Sequence, residues 1–165
     1  MKRTAVCSGS FDPVTYGHLD ILKRASAMFD ELVVCVFYNP TKPAGMFGIE
    51  DRVQMLKQAT KSLKNVRVTS YAGLLNEFCA QEGIKFVVRG LRAFSDFEYE
   101  FQRALMLKSL DHSLETVFIM TNPQFSYVSS SGVRELAVFG GRVEEMVPAC
   151  VAKKIRKKFA EGKNG

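Results

Sequence analysis

A chain of 165 residues, 47% hydrophobic and 24% charged, has the size and balance of one soluble globular domain spanning residues 1–165. No apolar run reaches the ~18 residues of a membrane span, and Met1-Lys2-Arg3 leads into a strand-like run without a secretory h-region, so no membrane partner and a cytoplasmic location are expected. The net charge of +6 sits mostly in Val151 to Gly165, with six basic residues and one acidic, so no nucleic-acid partner is expected for a body that is otherwise near neutral.

Thr4 to Cys7 reads as a first strand, and Ile21, Leu22, Ala25 and Phe29 recur at the spacing of one helix face. Between them lies Gly9-Ser10-Phe11-Asp12-Pro13-Val14-Thr15-Tyr16-Gly17-His18, a stretch of glycines, hydroxyls and one histidine. Leu32 to Phe37 is continuous and apolar, which fits a parallel strand covered on both faces. Tyr38 to Gly45 reads as a loop, Ile49 to Leu63 as a helix, and Val66 with Val68 as a short strand. Leu74 to Glu82 reads as a helix closed by Gly83. Phe86 to Val88 is a fourth strand, with Arg89-Gly90-Leu91-Arg92 as the loop after it. A helix from about Ser95 to Leu110, a strand from Glu115 to Met120, and a helix from Ser129 to Phe139 follow. Val151, Ile155 and Phe159 mark a basic amphipathic helix over about 148–161, whose lysines read either as a solvated face or as a polyanion site. Strands alternating with helices predict an α/β fold, a doubly wound Rossmann-like domain with a five-stranded parallel sheet.

Cys7, Cys35, Cys79 and Cys150 are scattered and read as buried free thiols, with no metal or disulfide framework. Neither a P-loop nor a Gly-x-Gly-x-x-Gly fingerprint occurs, which argues against a P-loop kinase or an ordinary NAD enzyme. In an open parallel sheet, the three polar stretches that follow strands lie along one edge and can converge on a single ligand. They are Gly9 to His18, Arg89 to Arg92, and Phe125 to Ser131. His18 is either a helix cap or a donor to a phosphate oxygen as charge grows there. Arg89 and Arg92 either fork onto phosphate or pair with Asp96, Glu98 or Glu100. Ser129, Ser130 and Ser131 either cap a helix or cradle an anion above its N-terminus. Lys42 is a solvated loop lysine or a point charge for an anionic substrate. His112, in a polar turn, reads as structural.

Gly9 to Pro13 followed by Thr15-Tyr16-Gly17-His18 resembles the (H/T)xGH signature of the nucleotidylyltransferase superfamily, and Val128 to Arg134 resembles its ISSSxxR signature. Arg89-Gly90-Leu91-Arg92 with Asp96-Phe97-Glu98-Tyr99-Glu100 is similar to the bacterial phosphopantetheine adenylyltransferase family in particular. The resemblance implies transfer of AMP from ATP, with Mg²⁺, to 4′-phosphopantetheine, giving dephospho-CoA and pyrophosphate by direct attack. It implies catalytic roles for His18, Ser10, Lys42 and Arg92. It implies an ATP site of Ser10, Phe11, His18, Gly90, Leu91, Arg92, Glu100, Phe125, Ser126, Tyr127, Val128, Ser129, Ser130 and Ser131. It implies acceptor contacts from Ser10, Lys42, Leu75 and Arg89, with Asp12 ordering the first loop. Homohexameric assembly and feedback by coenzyme A are further expectations from the resemblance. Cys7-Ser8 stands where relatives often have Tyr-Pro, and Phe125 where tryptophan is frequent. The competing readings are a sibling enzyme acting on nicotinamide mononucleotide or glycerol 3-phosphate, and a nonenzymatic nucleotide or polyanion binder.

Overall fold

Alternating side chains on five strands divide the core into two layers. The computed structural model describes residues 2–38 and 45–161. The strands are β1 (Thr4–Gly9), β2 (Glu31–Phe37), β3 (Val66–Tyr71), β4 (Phe86–Leu91) and β5 (Glu115–Met120), all parallel in the order β3-β2-β1-β4-β5. The helices are α1 (Tyr16–Met28), α2 (Ile49–Ala59), α3 (Leu75–Glu82), α4 (Phe94–Leu110), α5 (Ser130–Val138) and α6 (Ala149–Glu161). Successive residues of a strand point to opposite faces. Ala5, Cys7, Leu32, Val34 and Val36 therefore pack with Ile21, Leu22 and Ala25 of α1, Leu56 of α2, Val133 of α5 and Ile155 of α6. Val6, Val33, Cys35 and Val87 pack on the other face with Phe78 of α3 and Leu107 of α4. This is the doubly wound α/β arrangement expected from the alternation of elements.

Several boundaries differ from the sequence reading for local reasons. Arg89, Gly90 and Leu91, read above as a loop, are strand: they pair with Phe118, Ile119 and Met120, because β5 continues as far and offers them partners. Likewise β1 runs on to Gly9, opposite Val36 of β2. Helix α2 stops at Ala59 rather than Leu63. The Thr60 hydroxyl donates to the Leu56 carbonyl at 2.7 Å, and the Leu63 N–H turns back to Thr60. A 3₁₀ turn at Pro123–Phe125 has no counterpart in the sequence reading; Asn122 caps it, and proline is tolerated at a first helical position. Gly83 closes α3 in the left-handed conformation, as read. The loop reading over Tyr38 to Gly45 falls largely outside the described residues, and Lys42 with it.

Cys7, Cys35 and Cys79 are buried thiols, and Cys150 is half-buried. Along α6, Val151, Ala152 and Ile155 are buried, and the basic side chains are half-buried or exposed, with partners on neighbouring elements for Lys154, Arg156 and Lys158. Lys154 pairs with Asp51, Arg156 Nη1 donates to Glu144 at 2.7 Å, and the Lys158 ammonium lies 5.9 Å from the Phe47 ring centre.

The chain after β1 is secured by one buried carboxylate. Asp12 accepts from the Met46 N–H at 2.8 Å and the Phe47 N–H at 2.9 Å, and lies 3.5 Å from Arg52 Nη2. Arg52 also donates to the Phe47 carbonyl at 2.7 Å and the Ser10 carbonyl at 3.3 Å. Arg134 of α5 donates to the Asp12 carbonyl at 2.7 Å, and the Ser130 hydroxyl donates to the Pro13 carbonyl at 2.8 Å. Removing the carboxylate would strand two N–H groups and a buried guanidinium. Asp12→Ala is accordingly expected to lower unfolding free energy by about 3 kcal/mol. Urea denaturation checks this, and an unchanged midpoint would show that the latch is not holding the loop.

Candidate active site

Strand order reverses between β1 and β4, and there the two strands stop pairing. Ala5, Val6 and Cys7 face Phe86, Val87 and Val88. Past that point β1 continues only with β2, and β4 only with β5. The parting leaves a crevice beyond the strand ends, the place where open α/β sheets bind ligands. Arg89 Nη1 donates to the Ser8 carbonyl across the gap at 3.0 Å. Gly90 allows α1 to close in, since a Cβ there would lie 2.9 Å from Ile21 Cγ1.

The N-terminus of α1 enters this crevice with its own histidine. Thr15 is the N-cap: its Oγ1 accepts from the His18 N–H at 3.3 Å. In return, His18 Nδ1 accepts from the Thr15 N–H at 3.1 Å and lies 3.1 Å from Thr15 Oγ1. With Nδ1 accepting, the neutral ring must carry its proton on Nε2. Burial, and secondarily the Arg92 charge, pushes the His18 pKa from 6.5 down to about 4, so the ring is neutral at physiological pH. The Phe11 ring packs edge-on against it at 5.0 Å, with Phe11 at φ 44° in the left-handed region. His18 is thus both a capping residue and a neutral Nε2–H donor.

A second helix N-terminus lines the same cleft. Ser129 caps α5 by accepting from the Gly132 N–H at 3.0 Å, and Ser130 and Ser131 occupy the first turn. The cleft is lined by Ser10, Phe11, His18, Gly90, Arg92, Glu100, Val128 and these three serines, so the polar stretches after β1, β4 and β5 do converge. Two helix N-termini bring positive dipole ends to one cavity, although the Thr15, Tyr16 and His18 N–H groups of α1 already donate within the protein. Not every expected residue is there. Leu91 is buried outside the lining, and Phe125, Ser126 and Tyr127 also lie outside it. Phe125 instead stacks on Tyr16 with ring centres 6.2 Å apart, and the Ser126 hydroxyl donates to the Pro123 carbonyl.

The arginines are paired. Arg92 Nε donates to Asp96 at 3.1 Å, and its Nη1 donates to the Val128 carbonyl at 3.3 Å, joining β4 to the α5 side of the cleft. Arg89 Nε lies 3.4 Å from Glu100, whose Oε2 is buried without a hydrogen bond. Burial pushes the Arg89 pKa down and Glu100 opposes it, while burial lifts the Cys7 thiol beside them to about 11.

A second cleft adjoins the first. The two share Ser8, Gly9, Ser10, Arg89 and Glu100, and the second extends past Phe47 and Arg52 to Gly73, Leu74 and Leu75. Ser10 and Arg89 therefore touch both cavities, and Leu75, the first residue of α3, touches only the second. Two ligands seated in these clefts would bring their ends together over Ser10. Sequence reasoning missed Arg52 as a component of this apparatus, and quoted Thr15 only as part of the (H/T)xGH signature without its capping role. The Thr15 to His18 spacing is that of an N-cap and the third helical residue, which was available as a capping pattern. Nothing in Ile49-Glu50-Asp51-Arg52-Val53 marks Arg52 as turned inward.

Comparison with known proteins agrees with this geometry. Residues 6–136 match the cytidylyltransferase-like family. The chain is 49% identical over 157 residues to phosphopantetheine adenylyltransferase of Caldanaerobacter subterraneus subsp. tengcongensis, covering 95% of this chain and 98% of the relative. It is also 49% identical over 157 residues to the phosphopantetheine adenylyltransferase of Clostridium botulinum strain 657, covering 95% of each. Among solved structures, a Vibrio parahaemolyticus protein described as a nicotinate-nucleotide adenylyltransferase superposes with a TM-score of 0.67 over 94% of this chain and 99% of that one. At 17% identity, that likeness speaks for the fold alone. The chain belongs to the cytidylyltransferase-like family and, within it, to the phosphopantetheine adenylyltransferases.

Proposed function

We propose that the protein transfers the adenylyl group of ATP to 4′-phosphopantetheine, forming dephospho-CoA and releasing pyrophosphate. The observation that carries the reading is the meeting of two clefts over Ser10, one of them ringed by two helix N-termini and a neutral histidine donor. An oxygen of the acceptor phosphate forms a bond to the α-phosphorus as the bond to the bridging oxygen of pyrophosphate breaks. The nucleophile is already an anion, so no side chain need take a proton from it. The protein's task is to place the two ends in line and to meet the charge on the five-coordinate phosphorus.

In this reading ATP lies in the first cleft, against Gly90, Arg92, Val128 and Ser129 to Ser131. His18 Nε2–H donates to an α-phosphate oxygen and gains most in the transition state. Ser10 stands between the substrates, Arg89 and Lys42 hold the acceptor phosphate, and Leu75 meets the arm behind it. Asp12 and Arg52 act as positioning residues for Ser10. Mg²⁺ is proposed to arrive with ATP as a component of the substrate. Among the described residues no three His, Cys, Asp or Glu side chains are grouped to hold a metal, so the phosphates would supply its ligands.

The acceptor assignment rests on relatives 49% identical over nearly the whole chain, whereas the nicotinate-nucleotide likeness is one of fold. We extend the proposal to a cytoplasmic homohexamer with coenzyme A as feedback ligand. An exposed apolar face on α4, with Phe97, Phe101 and Leu105, supports assembly. The paired basic residues of α6 favour a solvated face over a polyanion site.

Incubation with ATP, Mg²⁺ and 4′-phosphopantetheine should yield dephospho-CoA and pyrophosphate by mass, and parallel tubes with nicotinamide mononucleotide, or with glycerol 3-phosphate and CTP, should not. Product only in a parallel tube would overturn the acceptor assignment. His18→Ala should lower kcat by about 10²–10³ with little change in the KM for ATP, the pattern of a group that acts on the transition state. An equal loss in binding and turnover would contradict that role. Because the His18 pKa is about 4 rather than 6.5, the proton needed on Nδ1 to charge the ring is absent throughout the neutral range. The pH profile of kcat should therefore show no inflection near 6.5, and one that disappears in His18→Gln would refute the neutral-donor role.

A further inference from the structure

We propose that Arg103 of α4 is a further acceptor-binding residue, whose guanidinium takes the anionic end of the acceptor where the second cleft opens into a groove beside α4. The proposal rests on the reading that the second cleft holds the acceptor. That groove is largely apolar, with Leu74, Leu75, Met106, Leu107 and Leu110 along it, and Arg89 and Arg103 line both the groove and the cleft. An acceptor with a phosphate at one end and a less polar arm would lay its arm along the groove. Its phosphate would then lie beside both guanidinium groups.

Charge separates Arg103, and with it Arg134, from the other arginines of the two clefts; Arg134 is spent on the Asp12 carbonyl, and Arg103 lines the groove as well. Arg52 faces Asp12, Arg89 faces Glu100 and Arg92 faces Asp96. Arg103 has no carboxylate within 4.0 Å among the described residues. A phosphate monoester carries about −1.5 to −2 at neutral pH, and Arg89 brings little net charge because Glu100 answers it. Among the described residues, Arg103 is the guanidinium without a carboxylate within 4.0 Å that lines both the second cleft and the groove.

It is also held in place. Tyr99 lies one turn earlier on α4, its hydroxyl accepts from Arg103 Nη1 at 3.0 Å, and its ring lies 5.5 Å from the guanidinium carbon. One of the five N–H donors of the fork is used and the others remain for a ligand. The Arg103 charge contributes to pushing the Arg89 pKa down, so the two guanidinium groups act on one region.

The test is steady-state turnover by the full chain, with 4′-phosphopantetheine varied at saturating MgATP. Arg103→Ala should raise the KM for 4′-phosphopantetheine about tenfold, as expected for lost hydrogen bonds to a charged group. The KM for ATP should not move, and Arg103→Lys should recover some of the loss. Unphosphorylated pantetheine, used as a competitive inhibitor, should bind wild type and Arg103→Ala alike. An unchanged KM for phosphopantetheine in folded Arg103→Ala would overturn the proposal. So would an equal loss of pantetheine affinity, which would place Arg103 on the arm rather than the phosphate. Wild-type protein that forms no dephospho-CoA would overturn the functional reading, and this proposal with it.

Discussion

After Cys7 and Val88, β1 and β4 cease to pair, and the site is built on that parting. Two parallel strands that diverge leave backbone groups without ladder partners, and a buried unpaired carbonyl is costly. The Arg89 guanidinium meets one of those demands by bonding the Ser8 carbonyl across the gap. The same parting makes room for a ligand and places β1 and β4 on either side of it. Because every strand is parallel, α1 and α5 both begin at the carboxyl edge of the sheet. Their N-termini therefore converge on the crevice without further instruction from the chain.

The start of α1 combines a structural need with a chemical one. Helix ends leave N–H groups to be capped. Here the reciprocal bonds between Thr15 and His18 satisfy two of them. Those bonds also decide which nitrogen of the ring carries the proton. A histidine held by its backbone capping bond cannot rotate its acceptor nitrogen toward the cleft without uncapping the helix. The orientation of the donor is thus secured by the free energy of the helix itself, and the low pKa that follows from burial keeps it neutral. The Asp12 latch acts in the same way just upstream, holding the Ser10 carbonyl through Arg52.

What could be read from the sequence follows from which patterns are local. Leu32 to Phe37 is apolar at every position because both faces are covered, and it forms a buried strand as read. The glycine and hydroxyl stretches announced the crevice, since few other arrangements gather them between a strand and a helix. The extent of β4 was not legible: Arg89-Gly90-Leu91 resembles a loop until β5 provides partners opposite it. Arg52 was hidden for the same reason, because its inward turn depends on Asp12, which lies far earlier in the chain. Phe125 to Tyr127, expected at the ATP site by resemblance, lie outside the lining of the first cleft, and Phe125 falls in a 3₁₀ turn that the sequence did not announce.

The charges in the two clefts explain how such a site can stay folded while awaiting two polyanions. Unpaired arginines buried together would repel one another and lose hydration. Arg89 and Arg92 avoid this by each facing a carboxylate of α4, Glu100 and Asp96 respectively. The resting first cleft is therefore rich in donors but modest in net charge. Its attraction for phosphate lies in oriented N–H groups, from two helix ends and one histidine, which act at short range and discriminate by geometry. A ligand that lacks phosphate oxygens in the right places would meet little generic positive field to hold it. The second cleft is lined as well by cations without a carboxylate within 4.0 Å among the described residues, Arg103 and Arg134. The division makes physical sense for a transfer reaction: less compensated cations hold the acceptor in the second cleft, and fixed dipoles select the geometry where the bond is made.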